Sequence, residues 1–298
     1  MLYIGEIAAI VTSITYAVNS ALFTVAGRKV GSMVVNRVRL LAACLFLIIG
    51  HWILLGQPWP VQAGWERWLW LGSSGIVGLV LGDAFLFQSF IWIGPRIAML
   101  MMSLAPIIAA VIAWVLLGEK LVRLQILGIL LTLLGVAWVI LDSNQRVKSK
   151  NKDYLRGIIF GLGAATGQGL GVVLAKPGLQ GSFSALSGNY IRMVTAFLVI
   201  GALTIFQGKL KMTWQQVRTN PRALGAIVGG AFTGPFLGVS LSLFALQHTS
   251  IGVASTLMAL TPIFLLPVEA KFFAEKIGWG AVAGTVIALL GVAVLFLS

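Results

Sequence analysis

Leu133-Leu134-Gly135-Val136-Ala137 returns 156 residues later as Leu289-Leu290-Gly291-Val292-Ala293. The same offset relates Pro106 to Pro262, Glu119-Lys120 to Glu275-Lys276, Gly128 to Gly284, and Gly78 and Gly82 to Gly234 and Gly238. Nearer the start of each half the offset is 153, where Asn36-x-x-Arg39 matches Asn189-x-x-Arg192. The chain therefore reads as two related units, 1–142 and 154–298, joined by a basic linker over 143–153.

Hydropathy says what each unit is. Of 298 residues, 59% are hydrophobic and 10% charged, against roughly 25% charged in a soluble domain. That leaves too little polar surface to cover a water-soluble globule. A spanning helix needs ~20 mostly apolar residues. Ten such runs fill the chain, over 4–25, 33–55, 67–92, 96–117, 123–141, 155–176, 185–207, 221–246, 250–273 and 277–297. Barrel strands of ~10 residues would alternate in polarity, and these runs do not. The expected fold class is an all-α polytopic membrane protein with ten transmembrane helices, five per unit. Five is odd, so the second unit enters the membrane in the opposite direction. Inverted repeats of this kind let one midplane site open to either side. The first run has Glu6 in place of a basic leader region and reads as a retained helix.

The polar stretches place the rest. Besides the linker, 56–66 and 207–220 join the second helix to the third and the seventh to the eighth. Trp59, Trp65, Trp68, Trp70 and Trp214 cluster there, as an interfacial aromatic belt would. Alternating sides of the membrane receive fourteen and four lysines and arginines, so the basic linker is expected in the cytoplasm and both termini outside. The net charge of +13 sits in these loops, and no nucleic-acid partner is expected. The single cysteine, Cys44, lies inside the second helix, and His51 and His248 near helix ends. No disulfide, metal-ligand spacing or cofactor motif follows. There is no Gly-x-x-x-x-Gly-Lys-Ser/Thr loop for nucleotide.

Ile93-Gly94 through Leu104-x-Pro106, Leu117-Gly118-Glu119-Lys120, and Gln125-x-x-Gly128 into Leu133-Leu134-Gly135-Val136 form one ordered set. Ser250-Ile251-Gly252-Val253-Ala254 through Leu260-x-Pro262, Ala274-Glu275-Lys276 and Leu290-Gly291-Val292 form a second. This pattern resembles the EamA-type drug/metabolite transporters, over essentially the whole chain. Each motif alone is weak, whereas two ordered copies are specific. The resemblance implies a central cavity between two five-helix halves and alternating-access transport of small metabolites, often export of amino acids or related compounds. It also implies termini inside, opposite to the charge bias.

A charge in the hydrocarbon region costs ~2.5–3.5 kcal/mol on the insertion scale, so buried ones face protein or a watery cavity. Asp83 is the sharpest candidate, and its repeat partner is Val239, so symmetry does not demand it. It reads as a proton carrier or a contact for a cationic group, or else as a structural carboxylate paired with arginine or serine. Arg39 and Arg192 read as structural, snorkelling or helix-pairing residues, or as anion contacts. Tyr16, Asn19, Gln88 and Gln168 could hydrogen-bond a substrate or glue helices together, and Ser103 is a similar case. Met99, Met101 and Met102 could line an apolar cavity or simply pack. Pro106 and Pro262 fall mid-helix in the expected fourth and ninth helices, as hinges or static kinks. Glu269 is a second titrating group or interfacial, and Glu119 and Glu275 are surface structure.

The expected function is a secondary transporter that exports a small metabolite, proton-coupled through Asp83. Exchange and facilitated diffusion stay open. The lipid bilayer is the other partner, and the chain is a monomer or homodimer in a cytoplasmic membrane. The alternative is a non-transporting sensor or scaffold, although these loops are too short to hold a soluble output domain. An intramembrane enzyme would need a clustered catalytic constellation. Eight acidic residues, most near helix ends, supply none.

Overall fold

The computed structural model describes residues 3–117, 122–146, 152–181, 183–248, 251–272 and 278–297. All regular structure among them is helical. In the first half, α1 (Ile4–Val30), α2 (Ser32–Leu55) and α3 (Trp65–Gly75) lead into a π-helical stretch, Ile76–Gly82. The chain continues as α4 (Asp83–Met102), α5 (Ala105–Leu117) and α6 (Arg123–Arg146). The second half has α7 (Lys152–Gly178), α8 (Ala185–Phe206), α9 (Leu210–Thr219) and α10 (Pro221–Ala231). A second π-helical stretch, Phe232–Gly238, follows, then α11 (Val239–His248), α12 (Ile251–Met258), α13 (Thr261–Phe272) and α14 (Trp279–Leu297). The two π-helical stretches stand 156 residues apart, the offset of the sequence repeat.

The surface is that of a protein in lipid. Ile53 is 74% exposed and Leu134 65%, while hydroxyls along α1 are turned inward and satisfied. Thr12, Ser20 and Thr24 each bond the carbonyl four residues back, which lets polar side chains sit in a buried helix. Among the described residues, seven helical stretches are long and apolar enough to cross a membrane. They are Ile4–Val30, Ser32–Leu55, Trp65–Met102, Arg123–Asp142, Lys152–Gly178, Ala185–Phe206 and Pro221–Ser242.

The three other expected spans take a different form. The fourth, 96–117, is the end of α4 joined to α5 through a break at Ser103 and Leu104. The ninth, 250–273, is α12 and α13 with a break at Ala259 and Leu260. The tenth is α14. The expected boundary between the third and fourth spans falls on Gly94 (φ 79°, ψ 161°), ahead of Pro95. Glycine takes this left-handed backbone without a Cβ penalty, and the following proline disfavours α geometry at that position.

Two further expectations are corrected. Pro106 and Pro262 are not mid-helix. Leu104 and Leu260 carbonyls accept the first bonds of α5 and α13, from the amides of Ile108 and Ile263, so both prolines lie in a first turn. The missing proline N–H is there one of the donors every helix start leaves free. The stretch 207–220 is not wholly loop. It carries α9, which buries Thr213 and Val217 and exposes Lys211, Trp214 and Arg218. The linker is partly helix too, because α6 runs to Arg146 and α7 starts at Lys152. Glu119, Lys120, Glu275 and Lys276 lie outside the described residues, as do 147–151 of the linker.

Glycine contacts fix how helices meet. A Cβ on Gly128 would stand 2.6 Å from the Leu295 amide nitrogen and 2.7 Å from the Gly291 carbonyl oxygen. A Cβ on Gly284 would stand 2.9 Å from the Gly135 carbonyl oxygen. Gly128 therefore faces Gly291 while Gly135 faces Gly284, so α6 and α14 run antiparallel with backbones in contact. Small residues permit that approach in lipid, where packing rather than hydrophobicity joins helices.

Candidate functional site

The site is built on the α3–π–α4 run. Gly75, Gly78 and Gly82 form a thin edge along it. The α8 backbone at Arg192 packs over Gly75, and Gln168 and Gly167 of α7 pack over Gly78 and Gly82. The π-helical turn leaves carbonyls without their usual helical donors. Side chains from elsewhere supply them. Asn36 Nδ2 donates to the Leu79 and Val80 carbonyls at 3.2 and 3.3 Å, and Gln168 Nε2 donates to the Gly78 carbonyl at 3.2 Å.

Directly after this turn comes Asp83. Its Oδ2 accepts from Arg39 Nη2 at 2.7 Å, and its Oδ1 accepts from Gln168 Nε2 at 2.8 Å. Arg39 Nη2 also donates to Asn36 Oδ1 at 3.1 Å, and the guanidinium lies 5.1 Å from the Phe87 ring centre. Both partners are buried, Arg39 to 4% and Asp83 to 5% exposure. Two charges leave water at high cost unless paired and hydrogen-bonded; here both carboxylate oxygens are bonded, while Arg39 Nε has no partner among the described residues. Gln168 comes from the second half, so the centre is clamped from both halves.

Beside the pair is a cavity of about 320 Å³. Tyr16, Asn19, Asp83, Gln168, Arg39 and Arg192, all expected from the sequence, line it together. Phe23, Phe87, Phe90, Met99 and Met102 give it apolar walls. Its size lies at the lower end of ~300–1,000 Å³ for ligand sites, and it shows the usual mix of apolar walls and a few polar groups. Gly234 and Gly238 of the second π-helical stretch let Asn19 and Tyr16 sit against its backbone, where a Cβ would collide with them.

Not every expected residue belongs here. Gln88 is outside the cavity, where its Oε1 accepts from Ser32 Oγ at 2.5 Å. Met101 is fully buried against Gly161 rather than lining the space. Ser103 bonds the Leu100 carbonyl at the helix break. Pro106 and Pro262 are not among the lining residues. Conversely, Asn189 lines the cavity and is 8% exposed. The repeated Asn-x-x-Arg motif was the signal for it. Among the described residues no three or more of His, Cys, Asp and Glu gather as a metal site would need.

The geometry defines a polytopic membrane protein with a charged cavity enclosed by helices from both halves of the chain. The chain belongs to the EamA-like transporter family, whose sequence model matches residues 3–141 and again 155–297. Over 101 residues it is 34% identical to the uncharacterized inner membrane transporter YhbE of Escherichia coli K12, and equally to those of E. coli O157:H7 and Shigella flexneri. That stretch is 34% of this chain and spans only 31% of each relative. A crystal structure of another protein shares the fold at TM-score 0.58 and 16% identity, over 96% of this chain and 94% of that one.

Proposed function

We propose that the chain is a secondary transporter of the cytoplasmic membrane that exports a small metabolite, an amino acid or related compound, by alternating access. The observation that carries this reading is the cavity between the two family-matched halves, with a buried ion pair at its wall and Gln168 reaching across. Ten crossings in two inverted five-helix repeats, 1–142 and 154–298, accord with the matched π-helical stretches and the antiparallel α6 and α14. The name inner membrane transporter given to the YhbE relatives supports the location.

Tyr16, Asn19, Asp83 and Gln168 contact the substrate. Asp83 couples transport to protons. A proton on Asp83 cancels its charge and releases Arg39, and loss of the proton restores the pair. The unstable combination, a lone buried arginine, ties protonation to the arrangement of the helices that hold the two groups. The breaks ahead of Pro106 and Pro262 supply flexible joints in equivalent places.

The test is flux in liposomes holding the purified chain. A pH gradient should drive accumulation of labelled amino acids in wild type. Asp83→Asn should abolish the pH response. An unchanged response in that variant would remove Asp83 from coupling, and no flux of any tested metabolite would remove the transport reading.

A further inference from the structure

The two copies of the Asn-x-x-Arg motif are satisfied to different extents. In the first half Asn36 bonds π-helical carbonyls and Arg39 has a carboxylate, Asp83. In the second half the position equivalent to Asp83 is Val239, and Phe236, equivalent to Val80, has its carbonyl taken by Ser240 Oγ at 2.6 Å. Asn189 Nδ2 is buried with no hydrogen-bond partner among the described residues, unlike Asn36 Nδ2, and the Nε atoms of Arg39 and Arg192 are both in that state. Asn189, Arg192 and Val239 all line the cavity. Arg39, Asp83 and Arg192 are the charged groups among its described lining residues. With Asp83 ionised they leave one positive charge in excess.

Resting on the transport reading above, we propose that Arg192 and Asn189 form the docking point for a carboxylate group on the transported molecule. The ligand's carboxylate supplies in the second half what Asp83 supplies in the first. Arg192 Nε and Asn189 Nδ2, both buried without a hydrogen-bond partner among the described residues, are donors that a carboxylate satisfies, and the excess positive charge favours a ligand that brings one carboxylate. The walls of Phe23, Phe87, Phe90 and Met102 then favour a carboxylic acid with an apolar body.

Thermal-shift titration of the detergent-purified full chain tests this with benzoate, 3-phenylpropionate, L-phenylalanine, L-leucine, L-phenylalaninamide and 2-phenylethylamine. The carboxylates should stabilise saturably, and the amide and amine should bind at least about tenfold more weakly. Arg192→Gln should weaken carboxylate binding about tenfold or more, about 1.4 kcal/mol, and Arg192→Lys should restore part of it. Val239→Asp keeps Arg192 but gives it a resident carboxylate, so it should abolish carboxylate binding in a folded protein. It decides the matter should Arg192→Gln fail to fold. Equal binding of acid and amide, unchanged affinity in Arg192→Gln or Val239→Asp, or no carboxylate binding at all would overturn the docking point. Liposome flux separates the two proposals. Transport of the amine or amide without the acids sinks the docking point alone, and acids that bind without crossing sink the transport reading alone.

Discussion

Arg39 and Arg192 occupy the same place in α2 and α8, eight residues into each helix, and their surroundings differ. Arg39 is paired with Asp83 and meets Asn36 and the face of Phe87, while its Nε, like that of Arg192, is buried without a hydrogen-bond partner among the described residues. Arg192 has, opposite it in repeat terms, a valine where Arg39 has a carboxylate. The helix contacts, by contrast, keep the symmetry, since Gly128 meets Gly291 as Gly284 meets Gly135. The halves agree where backbone packs on backbone and differ where side chains face the cavity. Packing is constrained identically in both halves, while a ligand has only one orientation and needs an asymmetric site.

The largest expected effect tests the engaged side of this comparison. Asp83→Leu leaves Arg39 buried and unpaired and should cost about 3–5 kcal/mol, read as a lowered unfolding midpoint in detergent. Adding Arg39→Met should recover most of that loss, because an apolar pair of similar volume is often neutral or better. Val239→Ala at the equivalent position should cost under about 2 kcal/mol, two methyl-sized groups at ~0.8 each. Comparable losses at both positions would erase the asymmetry.

Next come the glycines, where symmetry should hold. Gly128→Ala and Gly284→Ala each press a methyl into backbone and should each destabilise by about 1–3 kcal/mol. Gly225, with open space around its Cα, is the control. There alanine should gain up to about 1 kcal/mol from helix propensity. A large difference between Gly128 and Gly284 would mean that the α6–α14 contact is not two-sided.

Smaller still is the contrast between the asparagines. Asn36→Ala strips the Leu79 and Val80 carbonyls of a donor and should cost about 1–3 kcal/mol. Asn189→Ala removes a donor that already lacks a partner, so apo stability should stay within about 0.5 kcal/mol or rise. Matching losses would show that Asn189 has a partner within the protein.

Much of this was legible in the sequence, and the failures have physical causes. The repeat showed in glycine and proline spacing because close contacts and helix starts tolerate few residues. Asp83, Arg39 and Arg192 stood out because charge is rare in apolar runs. The π-helical stretches did not show, because two routes lead to the same geometry. The second contains Pro235, whose missing N–H breaks the regular ladder, while the first is held by side chains of Asn36 and Gln168 distant in sequence. Gln88 looked like a site residue by polarity alone, and its partner Ser32 lies on another helix. That Asn189 Nδ2 lacks a partner among the described residues while Asn36 Nδ2 has two is a detail no spacing rule carries.

The prolines give the smallest effect and decide between two geometries by sign. Hydropathy runs unbroken through 96–117 and 250–273, so composition alone puts Pro106 and Pro262 mid-helix. A proline there costs about 3 kcal/mol, and alanine in its place should stabilise. In a first turn the ring costs nothing, because its nitrogen has no bond to lose, and its fixed φ restricts the unfolded chain. Pro106→Ala and Pro262→Ala should therefore destabilise slightly, by about 0.4–1 kcal/mol each, and by similar amounts because both follow the same break. A gain of several kcal/mol on unfolding in denaturant would restore the mid-helix geometry and remove the joints between α4 and α5 and between α12 and α13. A small loss in stability together with slowed flux would place those joints in the transport cycle.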